Sequence, residues 1–342
     1  MAIDKADLLP RRKDAARPAV PHSLTRRVGL FLLRSREASI AIAGIVLIIY
    51  FQSTAPAFLS PSNIGNLAEY TAMTAIIAAG LVMVLIAGEV DLSVGQVYAL
   101  SPFVMHFAQQ AGVPFVPAIG IGLVAAAIVG LINGFFTVIL RIPSFITTLG
   151  TLFFINGFTL IISGGFPVRP KAGPMLQEIF GGNPLSQILW AIGVTLVLQF
   201  VLVKTRWGLH TVATGGNLIG AAEVGIKIGR IKIGNFVICS VLGGLAGTLD
   251  TFRIGSIDPL AGGTEIMFMA IASAVIGGTL LTGGSGTIIG AFLGAAVLGI
   301  LKDGFTLSGV SAYTFNMILG GAILITMLIN VHLSRLRAAG AG

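Results

Sequence analysis

Charge is what this chain lacks most. Only 10% of its 342 residues are Asp, Glu, Lys or Arg, where a soluble chain carries about a quarter. Cysteine is nearly absent: Cys239 stands alone inside an apolar run, which excludes an intramolecular disulfide and a cysteine metal site. The four histidines (His22, His106, His210, His332) share no short spacing, so no zinc motif can be drawn and no metal ligands are expected. No glycine is followed by lysine, which removes the G-x-x-x-x-G-K-[ST] phosphate loop and with it any nucleotide site of that kind. Paired carboxylates, H-E-x-x-H and a nucleophile motif are also missing. The chain is therefore not expected to be an enzyme.

What the chain has is apolar length. Hydrophobic residues make up 55% of it, in recurrent runs near twenty residues, each able to cross a hydrocarbon core of about 30 Å. The runs are continuous, unlike the short alternating segments of a membrane barrel. The expected fold is all-α and polytopic, with ten transmembrane helices near 38–55, 67–87, 95–110, 116–140, 145–163, 187–203, 232–251, 266–282, 286–301 and 313–332. Residues 1–37 form a basic tail, 38–332 the membrane domain and 333–342 a short C-terminal tail. The first run lies too far behind a long polar tail to be a cleaved signal, so it is expected to be retained.

The net charge of +8 is unevenly placed. Nine of the 21 Lys and Arg fall in residues 1–36 and five in 204–232. With the N-terminus in the cytoplasm, 17 of them face inward; only Arg169, Lys171, Arg253 and Lys302 face out. That bias is the mark of cytoplasmic loops beside membrane spans, and it predicts a plasma (inner) membrane protein with both termini inside. It is not the pattern of a nucleic-acid face.

Two polar connections interrupt the runs: an external Gly- and Pro-rich loop, 164–186, and an internal loop, 204–232. Glycines at four-residue spacing (Gly286, Gly290 and Gly294; Gly130 and Gly134; Gly243 and Gly247) predict smooth helix faces for close packing, chiefly between spans of one subunit. The stretch "AGEVDLSVGQ", 87–96, sets Glu89 and Asp91 between strongly apolar runs, where charge is expensive. Read locally, it is a break between two spans at the cytoplasmic side, bracketed by Gly88 and Gly95. Asp91 is expected to cap the second span, while Glu89 needs water, a partner protein or a cation. Asn133, Thr147, Thr148, Asn156 and Ser273 are polar residues inside spans and candidates for a solute path, with Phe145, Phe153 and Phe154 nearby as aromatic faces. Intramembrane Ser and Thr more often bond their own helix.

"GEVDLSVGQVYAL" closely resembles the G-G-x-D-L-S-V-G signature of the permease subunits of bacterial sugar ABC importers, the ribose, xylose and galactose type. "RWGLHTVATGGNLIGAAEVGI" is similar to that family's internal-loop segment, and "AVIGGTLLTGGSGTIIGAFLGA" to its third glycine motif. The three occur in the family's order, over about residues 38–332. Glu89 is the one departure, standing where the family commonly has a second glycine.

The resemblance implies a vitamin-B12-importer-like permease fold, working as a homodimer or with a paralogue. It implies import of a monosaccharide or related polyol. A periplasmic or lipid-anchored binding protein delivers the sugar, and separate ATP-binding cassette subunits carry ATP and Mg; this chain itself binds no cofactor. Gly215, Gly216, Asn217, Ala221, Ala222, Glu223 and Gly225 match the segment that docks on the ATPase, with Asn217 placed to cap a short helix. Gly88, Glu89, Asp91, Ser93 and Gly95 match the signature, here given a gating role. The cations Arg206, Lys227, Arg230 and Lys232 suit anchoring at lipid headgroups. Rival readings are a nucleoside or branched-chain amino-acid permease of the same superfamily, and an ion-coupled secondary transporter. The latter predicts acidic residues deep in spans and inverted repeats; apart from Asp250 the carboxylates cluster at span ends.

Overall fold

Helix starts in this chain follow local capping chemistry. Ser60, Asn183, Thr205, Asn217 and Thr287 each occupy an N-cap, and each side-chain oxygen accepts a backbone N–H of the first turn. Pro61 and Pro184 follow two of them at positions where the missing N–H is harmless. Gly164 and Gly255 end two helices in the left-handed conformation.

The computed structural model describes residues 36–311 and, beyond them, 314, 316–318, 320–321 and 324. The helices are α1 (Arg36–Thr54), α2 (Pro61–Ile86), α3 (Val94–Gln110), α4 (Phe115–Val138), α5 (Ser144–Ser163), the single turn α6 (Pro174–Gln177), α7 (Pro184–Lys204), α8 (Arg206–Gly216), α9 (Leu218–Glu223), α10 (Ile228–Ile254), α11 (Gly263–Ile276) and α12 (Ile288–Leu307). Among the described residues the only extended pairing is an isolated bridge, Val168 with Ile257, joining the 164–186 connection to the α10–α11 loop. The basic tail, the C-terminal tail and most of the tenth expected span lie outside the described residues; the described positions of that span are helical.

Nine helices answer to the first nine expected spans, but only seven described helices are long and apolar enough to cross a membrane. The exceptions are the helix at 95–110, whose bounds agree with the expected span, and that at 266–282, which the structure shortens. α3 has 17 residues and α11 has 14, ending at Ile276. After it, Gly277–Thr287 is a chain of turns, with Gly278, Gly283 and Gly284 at positive φ. The internal connection is likewise no open loop, since α8 and α9 fill most of it.

α2 is the axis of the bundle. Every residue from Thr71 to Ile86 is buried, apolar all round as a surrounded helix must be. α7, α10, α11 and α12 pack around it, α1 lies outside α12, and α3 and α4 close on α10. The glycine stripes make these approaches possible within the single chain. Gly130 and Gly134 of α4 lie against Phe236–Val237 and Ile233 of α10, Gly243 and Gly247 against Val94 and Tyr98 of α3, and Gly290 and Gly294 against Gly277 and Ser273. α5 and α7 are mostly uncovered and turn apolar side chains outward, among them Phe153, Phe154, Ile161 and Phe200. Water would penalise such faces; hydrocarbon does not.

Candidate functional site: a junction of three glycine turns

The three sequence motifs, far apart in the chain, meet at one end of the bundle. After Ile86 the chain reverses at Gly88, whose φ of +79° suits glycine. The Ile86 carbonyl accepts the Gly284 N–H at 2.8 Å. A Cβ on Gly215 would collide with that same carbonyl oxygen, and one on Gly283 would come within 3.1 Å of the Gly88 Cα. "GEVD", "ATGGN" and "LTGGSG" therefore form one backbone junction between α2, the α8–α9 corner and the α11–α12 turns. Close packing of main chain on main chain requires glycine at Gly215. At Gly216 a Cβ would meet Gly284 Cα at 3.8 Å, an ordinary van der Waals contact.

Glu89 finds its partner here: Lys232 Nζ lies 2.5 Å from Glu89 Oε1, with both side chains mostly covered. Sequence reasoning assigned Lys232 to lipid anchoring; the structure pairs it with the signature instead. Asp91 behaves differently from expectation. Ser93, not Asp91, holds the N-cap position of α3, and Asp91 Oδ1 accepts both the Ser93 N–H (2.9 Å) and the Ser93 hydroxyl (2.7 Å). Nor does Asp91 sit at the surface. It is fully buried, and its carboxyl lies by the thiol of Cys239, about 16 Å along α10 from that helix's start at 1.5 Å per residue. The chain thus folds back into the bundle, α3 begins within it, and 17 residues suffice to reach the far end. Gly95 allows this by lying directly against Gly263 of α11.

The polar residues expected along a solute path divide. Asn133 is buried and donates to Ser93 Oγ at 2.8 Å, tying α4 to the signature. Thr148 bonds the Ser144 carbonyl (2.8 Å), and Ser273 that of Met269 (2.7 Å), each on its own helix. Asn156 Nδ2 reaches Gln96 Oε1 at 3.3 Å, linking α5 to α3. Thr147 lines an outward groove with Phe154 and Phe158, while Phe145 and Phe153 point away from the bundle.

α9 stands at the same end. Asn217 Oδ1 accepts the Gly220 N–H at 2.9 Å, the cap expected of it. Ala221 turns inward and is buried, whereas Gly216, Ala222, Glu223 and Gly225 are exposed. Ile219 of α9 and Val224 at its C-cap are 73% and 77% exposed, apolar side chains on a polar end of the molecule. α8 is held to the bundle by a residue that sequence reasoning missed: Asn235 of α10 accepts from Trp207 Nε1 (2.9 Å) and donates to the Met83 carbonyl (3.1 Å) and Thr211 Oγ1 (3.2 Å). An isolated Asn in an apolar run carries no local signal of such a role. Also missed was a polar cluster at the opposite end around Glu69, Tyr98 and Arg253; of it, Asp250 stood out in the sequence as a carboxylate away from span ends, and Arg253 and Lys302 only as outward-facing charges.

Residues 63–328 match the family described as "branched-chain amino acid transport system / permease component". The chain belongs to this permease family. The permease is 34% identical over 315 residues to the xylose/arabinose import permease protein of Sulfolobus acidocaldarius, covering 90% of this chain and 88% of that one. It is 33% identical over 301 residues to the ribose import permease protein of Escherichia coli (86% and 93% covered) and 36% over 295 residues to that of Bacillus subtilis (83% and 89%). No solved structure matches it. Family and fold agree on a multi-pass membrane permease of an ABC importer.

Proposed function

We propose that this permease translocates a monosaccharide inward across the plasma membrane, two copies forming the pathway, and that the α8–α9 corner is where an ATP-binding cassette subunit docks. The observation that carries the docking assignment is the exposure of two apolar side chains, Ile219 of α9 and Val224 at its C-cap, beside small exposed residues, Gly216 and Ala222. An apolar face costs free energy in water unless a partner covers it, and small residues admit close docking.

The geometry also supplies a transmission route. α8 is fixed to α10 and α2 through Asn235, and the α8–α9 corner touches Ile86 and Gly284 through main chain alone. A push on α9 therefore reaches the inner end of α2 and the Glu89–Lys232 pair without a flexible side chain between. Such a junction can hold two discrete packings, as a coupled switch requires. The sugar assignment draws on the three relatives, whose names specify ribose or xylose and arabinose.

The test is Ala222→Trp in the full permease, expressed with its ATP-binding and binding-protein partners. Membrane levels of the permease should stay normal, while the ATPase no longer copurifies and D-ribose or D-xylose uptake is lost. Copurification and uptake at wild-type level would overturn the docking assignment.

A further inference from the structure

At the end of the bundle opposite the glycine junction, five helices line a polar, half-open cavity of about 200 Å³. Arg253 is its hub. The guanidinium lies 2.6 Å from Asp250 Oδ1 through Nε and 3.3 Å from Glu69 Oε2 through a terminal nitrogen, bridging α10 to α2. The Tyr98 hydroxyl of α3 shares Asp250, which is buried. On the other side Lys302 of α12 holds Glu265 of α11 at 3.1 Å, its ammonium 5.3 Å from the centre of the Tyr70 ring. Lys232 and Arg253 stand 21 residues apart on α10, roughly 30 Å along the helix. The cavity and the glycine junction thus mark the two ends of the permease. Ionisable groups inside a membrane bundle are expensive, and they mark function more often than packing.

We propose that this cavity is a binding site for a single monosaccharide on its way through the permease; the identity of the ligand rests on the sugar reading above. Every charged group is already paired: Arg253 is shared by Asp250 and Glu69 and Lys302 holds Glu265, so the one excess negative charge of the cluster is spread over the two carboxylates on Arg253. A zwitterionic amino acid would have to part these pairs to satisfy its own charges. A neutral polyol need not. An ionised carboxylate offers about four acceptor positions and a guanidinium five N–H donors, far more than the two ion pairs of Arg253 consume. Sugar hydroxyls both donate and accept, and can add to the unused positions while the pairs stay closed. The rings of Tyr70 and Tyr98 supply an apolar surface for the C–H face of the sugar, and the volume suits one ring, not a chain of them.

The test uses the complete importer in proteoliposomes, with wild-type permease, Asp250→Asn and Tyr98→Phe. Uptake of D-ribose, D-xylose and L-leucine is measured together with ATP hydrolysed. Tyr98→Phe removes one hydroxyl and guards against a variant that fails to fold. The cavity assignment requires that sugar moved per ATP hydrolysed fall at least fivefold in both variants. A purely structural role for the cluster lowers uptake and hydrolysis in parallel, and that result overturns the assignment, as does a wild-type ratio in both. Wild-type uptake of leucine with neither sugar overturns the monosaccharide reading and the ligand proposed for the cavity together. Sugar uptake with an unchanged ratio in the variants removes the cavity alone.

Discussion

Lys232 and Glu89, 143 positions apart in the chain, meet at 2.5 Å and join the start of α10 to the signature break after α2. The pair answers why a carboxylate stands where the family commonly has glycine: here it has a fixed counter-charge. Removing one member of a buried pair costs about 3–5 kcal/mol, and of an exposed pair no more than about 1 kcal/mol. This pair, with side chains 16% and 14% exposed, falls between them. Glu89→Gln and Lys232→Met are each expected to slow uptake relative to ATP hydrolysis. The exchanged pair, Glu89→Lys with Lys232→Glu, should recover much of the loss. Normal coupling in both single variants would show the pair to be incidental.

Asp91 and Asn133 should behave as structural ties. Asp91 Oδ1 accepts twice from Ser93, and Ser93 Oγ accepts from Asn133. Asp91→Asn keeps an acceptor oxygen and is expected to cost less than about 1 kcal/mol. Asp91→Ala leaves the buried Ser93 donors unmet, at about 1–3 kcal/mol. Thermal unfolding in detergent should rank the variants wild type, Asn, Ala. An Asp91→Asn permease with normal stability that is inactive in transport would instead give the charge itself a functional part.

Neighbouring glycines separate close packing from docking. A Cβ on Gly215 collides with the Ile86 carbonyl, while one on Gly216 meets only Gly284 Cα at 3.8 Å. Gly215→Ala is therefore expected to lower permease yield sharply, and Gly216→Ala to leave it near normal. Membrane abundance measured by immunoblot decides; equal yields would mean that the junction yields easily.

Charge bias predicts that both termini face inward, and labelling tests it. Cys239 is buried and should not react, so single cysteines at Ala15, Met175 and Gly340 can be added to the native chain. Met175 is 73% exposed. An impermeant thiol reagent applied to whole cells should label position 175 alone. Labelling of position 15 or 340 from outside would reverse the assigned topology.

Much of this architecture was legible one segment at a time. Hydropathy located nine of the described helices, and Asn217 marked the start of α9 because capping is a contact within four residues. The reading of "GEVDLSVG" failed at the same scale. Asp91 resembles a cap when only its neighbours are seen, and nothing local shows that Gly88 turns the chain back into the bundle. The eighth span was drawn too long for a related reason: hydropathy does not register that Gly277 must stop against Gly290.

Membrane class, the positions of nine helices, the uneven placement of charge and the family could be read from the sequence, because each depends on composition or on short-range pattern. Tertiary structure alone decided which polar groups meet. Lys232 closing on Glu89, Asn133 on Ser93, and Arg253 on Glu69 join segments 143, 40 and 184 positions apart. In a bundle whose helices are apolar on nearly every side, hydrophobic pattern does not say which face turns toward which neighbour. Glycine stripes and the axial position of α2 set those rotations, and with them the two polar ends of the permease.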